Sequence, residues 1–271
     1  MTTMEFIFFM KTGEAEIILN KSLKADYYKI VFNAPHVAGL VLPGQFVHVQ
    51  ITGLRDRILR RPFSVCDVNA DGSLTIIYKV VGEGTQVLSE LKTGAVCDIL
   101  GPLGNPYSLP MDDEFPVIIA GGYGSAATYI LAKQAKRKGV LLLGAKTEKD
   151  LILADDYKEL GFEVKITTED GSFGSKGLVT SLLKEYLETD KNGRLKFYGC
   201  GPNPMMIAVA KMASQYGQKA ELSLDHAMCC GVGACYACVV KVKDANSPNN
   251  WKYARTCREG PVFSSDLIYC E

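Results

Sequence analysis

Residues 116–129, PVIIAGGYGSAATY, decide the fold. An apolar β-branched run leads into paired glycines, and SAATYILAKQAKRKG (125–139) follows with apolar residues at helical spacing and a basic end before glycine. The turn reads Gly122-x-Gly124-x-x-Ala127. Strand, glycine turn and helix in that order make a dinucleotide site, because glycine admits the ligand to the backbone and the helix start faces phosphate. Gly121, Gly122 and Gly124 are the candidate contacts. Glu148 and Asp150 lie in the neighbourhood where an acidic ribose partner is expected, but they read first as a solvated loop.

Downstream, VLLLGAK (140–146), FEVKITTEDGS (162–172), GLVTSLLKEYLE (177–188) and LKFYGCGP (195–202) continue the strand–helix alternation of a parallel α/β unit. The last ends at Cys200-Gly201-Pro202, on the lip of the sheet where ligands bind. Gly201 joins the cofactor contacts, and Cys200 is carried as a catalytic candidate.

Upstream the texture is different. EAEIILNKSL (14–23), YYKIVFNA (27–34), QFVHVQI (45–51) and LTIIYKVV (74–81) are short β-branched and aromatic runs bounded by turn residues, which suggests a barrel or sandwich. RRPFSV (60–65) offers Arg61 to neutralise a pyrophosphate and Ser64 to sit beside a flavin ring; a surface arginine at a proline turn is the competing reading. Gly82, Gly84 and Thr85 then open a helix whose backbone N–H groups form a phosphate cradle, or else a glycine turn with a threonine N-cap. LGPLGNPYSL (100–109) closes this segment with two glycine-proline turns.

The tail carries CCGVGACYAC at 229–238, four of the chain's nine cysteines. Cys230-x4-Cys235-x2-Cys238, with Cys257 further on, is the plant-type [2Fe–2S] pattern. Three thiolates on a tight loop reach the irons, a distant fourth closes the site, and the small filler GVGA lets backbone N–H groups approach the sulfurs. Zinc fits less well, since structural zinc favours two short-spaced pairs and one is present here. Cys229 is surplus to the pattern, and packing is its expected role. Cys66, Cys97 and Cys270 read as small buried hydrophobes.

Lysines and arginines number 30, as do the acidic residues, which argues against nucleic acid or an anionic membrane as partner. No apolar run approaches a membrane span. MEFIFFM (4–10) is too short for a signal peptide and reads as a leader or first strand segment, so a cytoplasmic protein is expected.

In this order the motifs resemble the ferredoxin–NADP reductase superfamily. With the cysteine tail they look most like the electron-transfer subunits of NAD-linked (type B) dihydroorotate dehydrogenases. LPGQFVHVQ (42–50), LRRPFSV (59–65), GPLGNPYSL (101–109), CGVGACYACVV (230–240) and CREGPVF (257–263) carry the likeness. The resemblance implies an α+β multidomain chain: an antiparallel FAD-binding β-barrel at 1–110, a parallel NAD-binding α/β domain at 111–219 and a small [2Fe–2S] domain at 220–271. It implies FAD contacts at Arg61, Pro62, Phe63 and Ser64, at Ile77, Tyr78 and Lys79, and at Gly84 and Thr85. It implies cluster ligation by Cys230, Cys235, Cys238 and Cys257. Ser64 would be the hydrogen-bond partner near the flavin N5, and hydride would pass between flavin and NAD(H). The implied partner is an FMN-containing catalytic subunit that oxidises dihydroorotate to orotate, in a heterotetramer of two plus two. Two other readings stand beside it: a reductase subunit of the same build with a different flavin, ferredoxin or sulfur-linked partner, and a non-enzymatic iron–sulfur sensor. AGGYGSAA (120–127) departs from the family's G-G-G-x-G-x-A-P at Ala120 and Ala127, and methyls there are expected to alter nicotinamide affinity or orientation.

Overall fold

The computed structural model describes residues 10–54, 57–189, 194–224 and 226–270. The MEFIFFM reading therefore lies almost wholly outside the described residues.

Strands β1 (Lys11–Ser22), β2 (Tyr27–Asn33), β3 (Phe46–Gln50), β4 (Arg61–Ser64), β5 (Asp67–Val68), β6 (Ser73–Lys79) and β7 (Val96–Leu103) form one curled sheet in the order β4-β3-β7-β1-β2-β6-β5. Every pairing in it is antiparallel. Alternate side chains, among them Ile17, Ile30, Phe32, Val47, Val49, Ile76 and Ile99, point inward and make a closed apolar core. Helices α1 (Pro35–Ala38) and α2 (Glu83–Glu90) plug its ends, burying Val37 and Leu88.

The second sheet has the order β11-β10-β9-β8-β12-β13-β16. Its parallel members are β8 (Glu114–Gly121), β9 (Val140–Ala145), β10 (Glu163–Thr168), β11 (Ser175–Lys176), β12 (Arg194–Gly201) and β13 (Ala220–Leu224), and β16 (Val262–Ser264) pairs antiparallel at the edge. The chain runs outward from β8 to β9 on one side and resumes with β12 on the other, so β8 and β12 flank the switch point where α/β sheets bind ligands. Helices α3 (Gly124–Ala127), α4 (Tyr129–Gln134), α5 (Ala154–Glu159), α6 (Val179–Thr189) and α7 (Asn203–Gln215) cover the faces.

The sequence predicts one helix over 125–139, and the structure breaks it at Thr128. The Thr128 hydroxyl bonds the Gly124 carbonyl at 3.1 Å and the Tyr157 hydroxyl at 2.8 Å, tying the turn to α5. The helix ends at Gln134, where Ala135 turns extended, and Lys138 donates to the carbonyls of Ala132 and Ala135 at that end.

The tail adds a two-stranded hairpin, β14 (Val239–Lys243) and β15 (Trp251–Arg255). β13, which follows the expected boundary at 219/220, lies in the parallel sheet, and β16 from the tail extends that sheet beside it. No helix among the described residues is long and apolar enough to cross a membrane.

Candidate functional site

Three clefts and one thiol cluster meet around the junction of the barrel, the parallel sheet and the tail. The first cleft, of about 540 Å³, opens at the switch point and is lined by Gly121, Gly122, Pro202 and Met205, with Lys146 and Glu169 further along. Glycine is required here by contact. A methyl on Gly124 would lie 2.0 Å from the Cys200 carbonyl oxygen and 2.5 Å from its carbon. Gly122 adopts φ +53°, and the turn then enters α3. The β8 turn and the end of β12 are thus pressed together with main chain facing the opening, the arrangement a pyrophosphate needs. Ala120 and Ala127 are both buried, at 0% and 2% exposure, so their methyls face the protein interior.

Asp150 is no solvated loop residue. Its Oδ1 lies 2.8 Å from Lys79 Nζ and 3.3 Å from the Tyr27 hydroxyl, and Oδ2 accepts from Thr147 at 3.2 Å. Burial works to raise its pKa, but the Lys79 hydrogen bond and charge outweigh it and hold the carboxyl below its ordinary value. This contact latches barrel to α/β domain at the cleft, which Tyr27, Lys79 and Asp150 all line. Glu148 is not among the residues lining this cleft, and its main chain bonds the Ser172 and Lys24 side chains.

The second cleft, of about 680 Å³, lies between β4 and the start of α2 and is lined by Arg57, Arg60, Arg61, Gly82, Gly84, Thr85 and Met228, among others. Gly82 occupies the N-cap and Thr85 sits one turn in, its hydroxyl accepting the N–H groups of Val81 at 2.9 Å and Gly82 at 3.2 Å. The Arg61 guanidinium lies over Gly84: a methyl there would stand 3.0 Å from Arg61 Nε. A cation above a bare helix start fits a dinucleotide phosphate. Arg57 and Arg60 are engaged with Glu83 and Asp98.

A third, more open cleft of about 440 Å³ is lined by Pro62, Asn203, His226 and Ala227, so barrel, α7 and tail all reach it. Asn203 Oδ1 is buried, and among the described residues it has no hydrogen-bond partner. Ser64 is exposed at the end of β4, opposite Phe46. Phe63 packs edge-on against Tyr78 at 5.8 Å, and Tyr78 stacks on Tyr28 at 5.7 Å. Ile77 and Tyr78 are buried, while Lys79 turns toward the first cleft. Cys200 is buried at 4% exposure beside Tyr107 and Tyr157 and is absent from the cleft lining; Gly201 faces Gly121, whose N lies 3.1 Å from a methyl placed on Gly201.

The tail cysteines form pairs. Cys238 and Cys257 Sγ are 3.2 Å apart and packed on Phe46 and Leu103 of the barrel; Cys230 and Cys235 are within hydrogen-bonding reach of each other. Backbone N–H groups of Val232, Ala234 and Cys235 point at the Cys230 sulfur, Ala234 N at 3.3 Å, and that of Gly233 points at Cys257. Gly231 and Gly233 at φ +70° and +84° make this concave loop, and Arg255 braces it with a 2.8 Å bond to the Gly233 carbonyl. Burial works to raise the Cys230 pKa, but the N–H groups outweigh it and bring the thiol to about 6. Burial, then the neighbouring Cys238 thiol, push Cys257 up. Four N–H groups converging on sulfur suit thiolates, the form a metal requires. Among the described residues no three His, Cys, Asp or Glu side chains surround one ion position, and two thiolate pairs match two irons. Cys229 is half-buried beside Cys235, not packed in a core.

The same three parts appear in comparison with known proteins. Residues 14–107 match the oxidoreductase FAD-binding domain, 118–211 the oxidoreductase NAD-binding domain, and 225–269 the iron-sulfur cluster binding domain of dihydroorotate dehydrogenase B. The dihydroorotate dehydrogenase B (NAD(+)) electron transfer subunit of Fusobacterium nucleatum is 36% identical, over 97% of this chain and 100% of that one. The chain belongs to this family.

Its relative from Caldanaerobacter subterraneus is 38% identical over 94% of this chain and 97% of that one. A solved structure of the NADH-dependent reduced ferredoxin-NADP oxidoreductase matches with a TM-score of 0.80 at 29% identity, covering 94% of this chain and 90% of that one. The ferredoxin reductase of carbazole 1,9a-dioxygenase shares the fold at 23% identity, with a TM-score of 0.65 over 77% and 67% of the two chains. Membership gives the chain an FAD-binding, an NAD-binding and an iron–sulfur cluster binding domain.

Sequence reasoning missed three cleft-lining residues, Tyr27, Asn203 and Met228. Met228 lines the second cleft and packs on the apolar group that holds Cys238 and Cys257, so it links that cleft to the thiol loop. Asn203 follows the Cys-Gly-Pro signal directly and was legible by position. Tyr27 and Met228 carry no local signal, because only the tertiary fold brings them to a cleft.

Proposed function

We propose that the chain is the electron-transfer subunit of an NAD-linked dihydroorotate dehydrogenase, working with an FMN-containing catalytic subunit that converts dihydroorotate to orotate in pyrimidine biosynthesis. The observation that carries this is the thiol loop, with its four inward N–H groups, seated on the barrel face beside the cleft lined by Arg61, Gly84 and Met228. FAD supplies a centre that exchanges hydride with a nicotinamide and single electrons with a cluster. The residues do the rest. Arg61 and the start of α2 hold the pyrophosphate of FAD, Pro62 and Phe63 shape its strand, and Ser64 donates a hydrogen bond beside the flavin ring. Cys230 and Cys235 hold one iron, Cys238 and Cys257 the other. Gly121, Gly122, Gly124 and Gly201 bring main chain to NAD(H). Cys200 acts through its carbonyl, which fixes how closely Gly124 approaches. The division at 1–110, 111–219 and 220–271 belongs to this reading, with β13 contributing to the middle sheet. So do a two-plus-two heterotetramer and a cytoplasmic site.

The likeness to the NADH-dependent reduced ferredoxin-NADP oxidoreductase favours one second reading, the same build serving a ferredoxin-type partner. Anaerobic titration of the purified chain with NADH separates the cases. Bleaching of bound flavin is expected, with reoxidation by orotate when the FMN subunit is added. Bleaching without that coupling favours the second partner, and no bleaching makes the chain a sensor.

A further inference from the structure

His48 stands in the middle of β3 with 0% exposure, and among the described residues neither ring nitrogen has a hydrogen-bond partner. It belongs to the outward alternation of the barrel with Phe46, whose ring is 5.7 Å away, and it lies across from Pro62 on β4 and Leu100 on β7. The tail covers this face. A methyl placed on Gly231 would meet His48 Nε2 at 2.6 Å, Cε1 at 2.7 Å and Cδ2 at 2.9 Å, so the Nε2 tip of the ring points at the loop residue next to Cys230. A buried N–H left unmade is costly, so a ring with two idle nitrogens among Phe46, Pro62 and Leu100 implies an acceptor.

We infer that His48 is a positioning residue that donates a hydrogen bond from the flavin barrel into the sulfur shell held by the Cys230 loop, and thereby sets the cluster's reduction potential. The inference rests on the iron–sulfur reading above. Gly231 at φ +70° is what allows the approach, since any side chain there would collide with the ring. The strand that carries His48 also pairs, at the adjoining residue pair, with the Phe63 of the flavin segment, so one rigid element touches both centres.

The test uses the full-length chain purified anaerobically, with iron and acid-labile sulfide measured first. Absence of both defeats the iron–sulfur reading itself. With the cluster present, pulsed EPR of reduced protein labelled with 15N-histidine should show coupling of one histidine nitrogen to the cluster spin, lost in His48→Gln prepared with the same label. A cluster-containing wild-type chain with no such coupling overturns the inference. In redox titration, His48→Phe should shift the flavin–cluster electron equilibrium away from the cluster by about tenfold or more, as loss of a hydrogen bond to a charged acceptor predicts. His48→Gln, which keeps a donor, should recover most of the shift. Equal shifts in both variants, or none in a cluster-replete His48→Phe, also overturn it.

Discussion

Gly124→Ala tests the dinucleotide crevice most directly. The added methyl would stand 2.0 Å from the Cys200 carbonyl oxygen, 2.5 Å from its carbon and 3.1 Å from Gly201 N, all backbone atoms that cannot swing aside. Carbon–oxygen contacts settle at about 3.3 Å or more, so the turn and α3 must retreat from β12 by about 1.3 Å. Overpacking of this kind costs about 1–3 kcal/mol of stability, which the α/β domain can absorb. The functional cost is larger, because a misplacement of about 1 Å at a site that positions a reactant lowers the rate roughly 100-fold. The assay is anaerobic stopped-flow bleaching of flavin by NADH, with FAD and iron content measured on the same sample. A roughly 100-fold loss in kcat/KM with unchanged FAD and iron is expected, because neither the second cleft nor the thiol loop touches Gly124. Gly39→Ala is the control: φ is −68° there and a methyl meets nothing within 4 Å. A Gly124→Ala chain that bleaches within about twofold of the parent refutes the packing argument.

Cys257→Ser should remove the visible absorbance of the cluster and leave that of flavin; an unchanged spectrum excludes the ligand set. Arg61→Ala should weaken FAD retention by about tenfold or more, the loss of one charge-assisted hydrogen bond, as read by fluorescence of released flavin on dilution. Asp150→Asn should loosen the latch between barrel and α/β domain by up to about 1 kcal/mol, since the pair is only partly buried. The Asp150 pKa lies below its ordinary value, so its contribution is present above the unfolded carboxylate value, near 3.9, and is lost as pH falls through the lower folded value. Lys79 is raised, so its share persists through neutral pH and fades only as pH climbs past the ordinary lysine value. Melting curves for parent and Asn variant should therefore differ at pH 7 and converge as pH falls through the lowered Asp150 value.

The order of elements was legible because each rests on local pattern. PVIIAGG reads as a buried strand ending in a turn, and it is β8. YYKIVFNA alternates and pairs as β2. The Cys230 to Cys238 spacing foretold a loop of small residues with N–H groups aimed at sulfur, which is how residues 232–235 are arranged. What escaped was whatever depends on a long-range neighbour. Thr128 breaks its helix to reach Tyr157, twenty-nine positions away, and no helical periodicity carries that information. Asp150 reads as loop from its surroundings in sequence and becomes half of an inter-domain contact through Lys79, seventy-one positions earlier. His48 sits in FVHV, where one histidine in an apolar strand gives no hint that its far side is Gly231.

The tail shows why this chain reads as one electron-transfer unit. A two-stranded hairpin such as β14–β15 is marginal alone in water, so the tail draws its stability from the other parts. β16 adds to the edge of the parallel sheet, Asn105 of the barrel's closing turn bonds the Gly260 carbonyl at 2.6 Å and the Glu259 carbonyl at 2.7 Å, and Cys238 and Cys257 pack on Phe46 and Leu103. GPLGNPYSL and CREGPVF, far apart in sequence, are thus two halves of one joint. That joint fixes the thiol loop against the barrel from two sides, and the Lys79–Asp150 latch fixes the barrel against the nucleotide cleft. Contacts in the folded chain thus join the tail to both other parts, as the proposed passage of single electrons from one cofactor to the next requires.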